Sequence, residues 1–460
     1  MTDTADLRTD VLVVGAGPGG LAAAAAVGAA GLDVTLVDEN PLAGGQIWRQ
    51  AFADAGTACE QARLPARARF LSSAVCAGFG ESGAAVVDAN GSLLSIRARA
   101  VVLATGAYER VVPLPGWTLP GVMTAGAAQT LLKGSGVLPY RRVVVAGTGP
   151  LLLAAATQLL AAGVTVAAVV EAVRPRASDV RRVPELLVGG RLVLDGAGYL
   201  LRLAGARVPL LTGHAVEEIT GGAGGVGGVV VRRVLRDWSP SRRYAPREIA
   251  CDAVLLSHGF SSSVELAAQA GLRLVWDTQR QSWRPWRSET FETSQPRVFA
   301  VGDCAGVGGA QIATAEGTLA GLAVAGRLTG RGDGIRRTRR LRRQLARLER
   351  FRRAMDGLSR IPPDVASRIR ADTIVCRCQG TTAGELRRAV EGGASTQHTV
   401  KLWSRAGMGR CQGRICGPNI SDLLRALCGQ PPGLDAPRVR FPVRPVAAGS
   451  LAGWKTTTRE

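Results

Sequence analysis

At 460 residues, with 46% apolar but only 4% aromatic side chains, the chain can bury a large core and has the length of about three ordinary domains packed on small side chains. Basic residues number 57 against 36 acids, a formal net charge of +21 that is almost wholly arginine. Nine cysteines behind a polar, acidic N-terminus (Met-Thr-Asp-Thr-Ala-Asp) argue against a signal peptide and a secreted disulfide scaffold, so reducing cytoplasm is the expected compartment.

The first element is a strand at 9–14 running into Gly15-Ala-Gly17-Pro-Gly19-Gly20 and an alanine-rich helix. Gly15 makes the turn, Gly17 lets a pyrophosphate approach the backbone, Gly20 lets helix pack on strand, and the helix N-terminus offers its positive pole. A second strand at 33–37 ends at Asp38-Glu39, and Asp38 lies 23 residues after Gly15, where a carboxylate reaches a ribose hydroxyl. Strand, turn, helix and acid together predict a dinucleotide site. Gly44-Gly45-Gln46 follows, and a buried strand at 101–104 ends in a Thr105-Gly106 turn.

A second unit of the same kind spans 142–171. Its turn, Gly147-Thr-Gly149-Pro-Leu-Leu152, has leucine at the third glycine position, so helix and strand must pack differently and a pyrophosphate sits less closely. Two readings stay open: a site for an adenine nucleotide, NAD(H) or ATP, with Glu171 facing a free ribose 2′-hydroxyl, or a vestigial turn. Residues 151–170 carry no charge, but helix, Gly163 turn and buried strand explain that better than a membrane span. The run from Gly221 to Gly228 lacks the Lys-Ser/Thr of a phosphate loop and is read as a hairpin loop. With no C-x-x-C or C-x4-C before residue 376, disulfide-reductase chemistry is disfavoured.

Arginine is densest at 335–355, where Leu341, Leu345, Leu348 and Met355 recur at helical spacing, which predicts an amphipathic helix with an arginine face. An acidic partner protein or the anionic inner surface of the cytoplasmic membrane suits that face; nucleic acid is not expected, because no nucleic-acid fold accompanies it. Pro362-Pro363 marks a hinge. Then come Cys376-x-Cys378 and Cys411-x4-Cys416, with 32 residues between the pairs. Two such pairs let two backbone turns offer two sulfurs each to one small centre. Soft thiolates select a [2Fe-2S] cluster or zinc, and spacing alone leaves both open. Glycines around the second pair permit close backbone approach and free N–H groups. Cys59, Cys76, Cys251 and Cys428 are read as ordinary buried thiols, and the proline-rich tail from Gln430 as an extended wrapping or disordered segment.

The first glycine turn, the strand ending in Thr105-Gly106 and the later Gly302-Asp303-Cys304-Ala-Gly306 together resemble the two-dinucleotide-domain flavoprotein reductases. The resemblance implies FAD contacts at Gly15, Gly17, Gly20, Asp38, Glu39, Thr105, Gly106, Gly302 and Asp303, places Gly45 and Gln46 near the flavin, and makes His258 face nucleotide or flavin. With Trp48-Arg49, the stretch from Pro115 through Trp117 and Gly121 to Gln129, and the terminal cysteines added, the chain is similar over about 8–428 to α subunits of heteromeric, dye-linked amino-acid dehydrogenases. That group includes the corresponding subunits of opine oxidase, of D-hydroxyproline and proline dehydrogenases, and of the related hydrogen cyanide synthase. The C-terminal module resembles the bacterioferritin-associated ferredoxins, whose second cysteine pair is usually closer together than Cys411 and Cys416.

The implied fold is α/β, with two Rossmann-like dinucleotide-binding domains of the flavoprotein disulfide-reductase type and a small helical [2Fe-2S]-binding domain. Its implied divisions are 8–125 (FAD), 126–284 (second dinucleotide), 285–332 (FAD, continued), 333–364 (basic linker helix), 365–430 (cluster) and 431–460 (tail). The implied function is electron relay: a flavin-containing, substrate-oxidising partner subunit reduces this chain, which holds FAD and a cluster on Cys376, Cys378, Cys411 and Cys416, and a small ferredoxin-like subunit completes the complex. Competing expectations are a self-contained NAD(P)H-dependent ferredoxin or dye reductase and a non-catalytic iron–sulfur redox partner protein.

Overall fold

A computed structural model of the protein describes residues 6–49, 62–330, 335–429, 431 and 433–452; Cys59 and the start of the acidic N-terminus lie outside them. Strand Asp6–Val14 pairs in parallel with Val34–Val37 on one side and Ser92–Leu103 on the other, and Ala68–Leu71 extends the sheet beyond Val34–Val37. Val11, Leu12, Val13 and Val14 are buried on both faces of that sheet, which is why they read as an unbroken apolar run. Strand Ser92–Leu103 is longer than the segment expected at 101–104, because its halves have different neighbours. Its first half pairs antiparallel with Ala85–Ala89, which forms a hairpin with Ala74–Phe79, and its last residues pair in parallel with Val298–Ala300. A strand from near residue 300 thus re-enters the sheet that residue 6 begins.

The second parallel sheet runs in the order Leu210–Thr212, Thr165–Glu171, Arg142–Gly147, Ala253–Ser257, Val122–Thr124. The uncharged run resolves into helix Leu151–Ala161, Gly163 at φ +80° and strand Thr165–Glu171. Among the described residues no helix is long and apolar enough to cross a membrane. The glycine run joins His214–Gly222 to Gly225–Arg233 as a hairpin. A two-stranded ribbon, Ala107–Glu109 with Phe260–Ser262, ties the two sheets at the points where the chain leaves each of them.

The arginine helix Ile335–Leu358 lays Leu341, Leu345 and Leu348 against the first core. Met355 is only half-buried, and Ala354 and Asp356 take the inward positions instead. The hinge expected at Pro362-Pro363 is pinned, because Ile361 is buried and its carbonyl accepts from Gln281 Nε2 at 3.1 Å. Of the two readings of the tail, wrapping is the one observed for its described part. Val443 is buried in the first sheet's second core and its N–H donates to Ala77 O at 2.8 Å, while Ser450 Oγ donates to Gly91 O at 2.9 Å.

The cysteine-bearing module is docked on the connector that leaves the first sheet. Arg110 and Asp422 form an ion pair whose side chains are 4% and 11% exposed, and Asp422 also holds Arg425 at 3.1 Å. Asn419 Nδ2 donates to Val111 O at 2.9 Å and Trp117 Nε1 to Ile374 O at 2.6 Å. His258 sits in the same wall, its Nδ1 accepting from Val112 N at 3.3 Å, and burial with the Arg110 charge pushes its pKa down to about 3, so the ring stays neutral. Removing one partner of a buried pair leaves an uncompensated charge. Asp422→Asn is therefore expected to destabilise the docked module by about 3–5 kcal/mol. Denaturant titration paired with limited proteolysis between residues 359 and 375 checks this; a variant as resistant as the parent contradicts it.

Candidate functional site

The first glycine turn is shaped by what a side chain would meet at each position. Gly15 has φ +106° and a Cβ there would lie 2.3 Å from Ala104 O; a Cβ on Gly20 would lie 1.8 Å from Gly15 O. Gly17 differs, since its Cβ would meet only Gly45 Cα at 4.0 Å. That open side lies at the N-terminus of helix Pro18–Ala29, which has no side-chain cap and so leaves backbone N–H groups for an anion. Asp38 is buried and oriented: Oδ2 accepts from Ala16 N at 2.6 Å, and Oδ1 accepts from Asn40 N and Nδ2 at 2.8 and 2.7 Å. Arg49 reaches Asn40 Oδ1 at 2.8 Å, and among the described residues its Nε is buried without a partner. Such an orphaned cationic donor, joined through Asn40 to Asp38, together with the uncapped helix start, fits a phosphate-bearing cofactor.

The other expected contacts converge on this cradle unevenly. Ala104 N donates to Val14 O at 2.8 Å, which brings Thr105 and Gly106 beside the turn; Thr105 Oγ1 donates to Ser263 O at 3.2 Å, and a Cβ on Gly106 would meet nothing within 4 Å. Asp303 Oδ1 accepts from Gly308 N and Gly309 N at 2.8 and 3.0 Å, fixing the loop that starts helix Ala310–Thr329. Gly45 packs on Gly17, but Gln46 is exposed and bonds Thr130, and Glu39 turns away to Arg444 of the tail at 3.3 Å.

Sequence reasoning missed the groups that hold Gly302. Glu316 is 1% exposed, accepts from Gly302 N at 2.8 Å and makes a two-point pair with Arg287 at 2.8 and 2.6 Å. The available signal was a lone acid inside the apolar helix that follows Gly302-Asp303.

The second turn is built differently. A Cβ on Gly147 would lie 1.6 Å from Ser257 O, Leu152 is fully buried, and Gly149 faces the Ser359 side chain at 3.7 Å where Gly17 faces open space. Glu171 accepts from Gly149 N at 2.9 Å and Val173 N at 3.0 Å, and burial raises its carboxyl above the usual carboxylate range. Ser359, just after the arginine helix, therefore stands against this turn.

The four cysteines stand as two pairs. Cys378 and Cys411 have sulfurs 3.7 Å apart, and Cys376 hydrogen-bonds Cys416. Two thiolates on one tetrahedral metal with bonds of about 2.3 Å lie about 3.8 Å apart, so the first pair already has the separation one metal needs. Among the described residues no group of three or more His, Cys, Asp or Glu side chains converges on one ion, and paired thiols suit two metals better than one. The bond from Cys416, then Gly407 N at 3.4 Å and other backbone donors pull the Cys376 thiol down to about 5, while the same bond and burial push Cys416 up. Arg414, between Cys411 and Cys416, ties this loop to the flavoprotein body. Its Nε donates to Tyr108 Oη at 3.0 Å, its guanidinium stands 3.5 Å from Glu265, and it donates to Val443 O of the tail.

Gly409 leaves no room for a side chain, since a Cβ there would lie 2.1 Å from Cys378 Cβ. Gly409→Ala is expected to push Cys378 out of line and reduce bound iron and sulfide at least about tenfold, the loss typical of a disturbed metal shell. Iron and sulfide assays check this; full metal content in the folded variant contradicts it.

The comparisons agree with this two-part arrangement. The pyridine nucleotide-disulphide oxidoreductase family matches residues 9–317, and the BFD-like [2Fe-2S] binding domain matches 374–426. These matches imply FAD and a [2Fe-2S] cluster. An opine oxidase subunit of Agrobacterium tumefaciens is 34% identical, over 100% of this chain and 94% of that protein. Hydrogen cyanide synthase subunit HcnB of Pseudomonas aeruginosa is 34% identical, over 95% of this chain and 96% of that one. The L-proline dehydrogenase from P. horikoshii has the same fold, with a TM-score of 0.70 at 19% identity over 98% of this chain and 81% of that structure. The chain belongs to the pyridine nucleotide-disulphide oxidoreductase family and, within it, to the FAD-dependent oxidoreductases that include these subunits of opine oxidase and hydrogen cyanide synthase.

Proposed function

We propose that this chain is the electron-transfer subunit of a cytoplasmic, heteromeric dehydrogenase that acts on the CH–NH bond of a proline, hydroxyproline or opine type of amino acid. A flavin-containing partner subunit oxidises the substrate, this chain takes the electrons, and a small ferredoxin-like subunit joins the complex. The observation that carries the reading is one body holding both an open glycine cradle and a docked module of paired cysteines. FAD, when bound, accepts two electrons and releases them singly, and a [2Fe-2S] cluster carries one.

The residues divide the remaining work. Gly15, Gly17 and Gly20 would let a pyrophosphate approach the helix start, Asp38, its carboxylate fixed by Ala16 N, would meet the ribose, and Gly302 and Asp303 would set the second helix start at the cofactor. Cys376, Cys378, Cys411 and Cys416 hold the metals. Arg414 keeps their loop against Tyr108 and the tail. The reading as a self-contained NAD(P)H reductase draws on Gly147 and Gly149, but Ser359 lies over that turn and Leu152 fills the third glycine position.

The isolated chain should bind FAD with two irons and two sulfides, and should not turn over proline, hydroxyproline or opines with a dye until the partner is co-expressed. Gly17→Val should abolish stoichiometric FAD. Complete amino-acid turnover by the isolated chain, or one zinc without sulfide, defeats the proposal; rapid bleaching of the flavin by NAD(P)H favours the reductase.

A further inference from the structure

A groove of about 690 Å³ runs between the arginine helix and the loop at residues 188–191, lined by Arg191, Arg336, Arg339, Arg340, Arg343 and Arg347. Among the described residues no carboxylate lines it. The only ion pairs that arginines of this helix make among the described residues lie outside the groove: Arg342 with Glu289, and Arg352 with Asp356. Leu345 anchors the helix in the core and Leu348, buried in the same core, forms part of the groove's lining, so the cationic face is held in place. Gln311, in the first turn of helix Ala310–Thr329, closes one end and brings the groove beside the second helix start of the FAD cradle.

The other wall continues into apolar surface. Helix Arg191–Gly205 buries only Leu203, whereas Leu194 and Leu201 are 72% and 73% exposed. Leu194 and Leu201 are seven residues apart and share a face, and Leu194 lies one turn beyond Arg191. Leu187, next to the groove residue Val188, is 66% exposed, and Val180 and Val183 extend the patch. An exposed apolar patch beside a charged groove marks a protein-binding surface.

We propose that this face docks the flavin-containing, substrate-oxidising partner subunit through an apolar centre on the leucines and an acidic ridge in the arginine groove. The proposal rests on the heteromeric reading and names its interface. Charge complementarity selects the occupant, because the groove offers six guanidinium groups and, among the described residues, no carboxylate to offset them. Its length favours a protein over a single phosphate group: Arg336 to Arg347 spans about 16 Å of helix. Docking here sets the partner against the helix start that Asp303 fixes, at the edge of the cradle where electrons must arrive.

The test uses the full chain co-expressed with its amino-acid-oxidising subunit, comparing the parent with Arg339→Glu/Arg343→Glu and with Leu194→Asp/Leu201→Asp. All these side chains are exposed, and unchanged FAD and iron content verifies folding. Complex formation is measured by sedimentation, and association rates by surface binding at low and high salt. The arginine variant should associate at least about tenfold more slowly at low salt and lose most of the salt dependence, and the leucine variant should dissociate during sedimentation. A complex that survives both variants with unchanged rates overturns the inference while leaving the heteromeric reading intact. Loss of self-association, or of binding to anionic phosphatidylserine vesicles, with partner binding unchanged also overturns it. A parent chain that binds no partner overturns both.

Discussion

Two helices with almost no side chains between them hold this molecule in its working shape. A Cβ on Gly317 would lie 2.0 Å from Gly19 O, and one on Gly321 would lie 2.6 Å from Ala23 O, so helices Pro18–Ala29 and Ala310–Thr329 touch backbone to backbone. Their N-termini belong to segments almost three hundred residues apart. Close contact is what sets the two helix starts side by side, and strand Val298–Ala300 enters the first sheet at Leu103 as a result. Glu316, one residue before Gly317, then reaches Gly302 N and Arg287. A methyl group at either glycine would push the helices apart and open the cradle before touching any cofactor.

The same economy of space governs the C-terminal half. The cysteine module does not swing on a linker: Arg110 and Asp422 clamp it to the connector between the sheets, and Arg414 clamps its second cysteine loop to Tyr108 and the tail. The buried charges at this junction are paired, Arg110 with Asp422 and Arg414 with Glu265, as low dielectric requires. The surplus positive charge stands instead on the exposed face of the arginine helix, where water and an acidic partner can solvate it. Rigid docking inside and surplus charge outside suit the proposed relay, in which the cysteine module is held fixed on the flavoprotein body and the arginine face is turned to a partner.

Much of this was legible in the amino-acid sequence, because the features concerned are local. A turn that needs φ +106° at Gly15, a carboxylate at the end of the next strand, and sulfurs two residues apart are short-range patterns; the first two point to a dinucleotide and the third to a metal centre, with zinc and [2Fe-2S] both left open by spacing. The uncharged run at 151–170 was legible for the same reason. What stayed hidden depends on long-range packing. Arg110 and Asp422 are 312 positions apart, and nothing near either residue announces the other. Strand Ser92–Leu103 runs beyond the segment its sequence suggests because its two halves satisfy different partners, and Pro362-Pro363 is no hinge because Ile361 is buried and bonded to Gln281. Ser359 over Gly149 is likewise a tertiary accident of the linker path, invisible to a fingerprint that ends at Leu152.

Freeze-quenched electron paramagnetic resonance of the complex, mixed with its amino-acid substrate in the absence of any acceptor, tests the relay most directly. The account predicts that a reduced two-iron signal on Cys376, Cys378, Cys411 and Cys416 appears after flavin bleaching and is lost in Cys378→Ser, while bleaching of the partner's flavin keeps its rate. No two-iron signal in the parent at any time, together with transfer of substrate electrons at full rate in Cys378→Ser when the dye is then supplied, would contradict it.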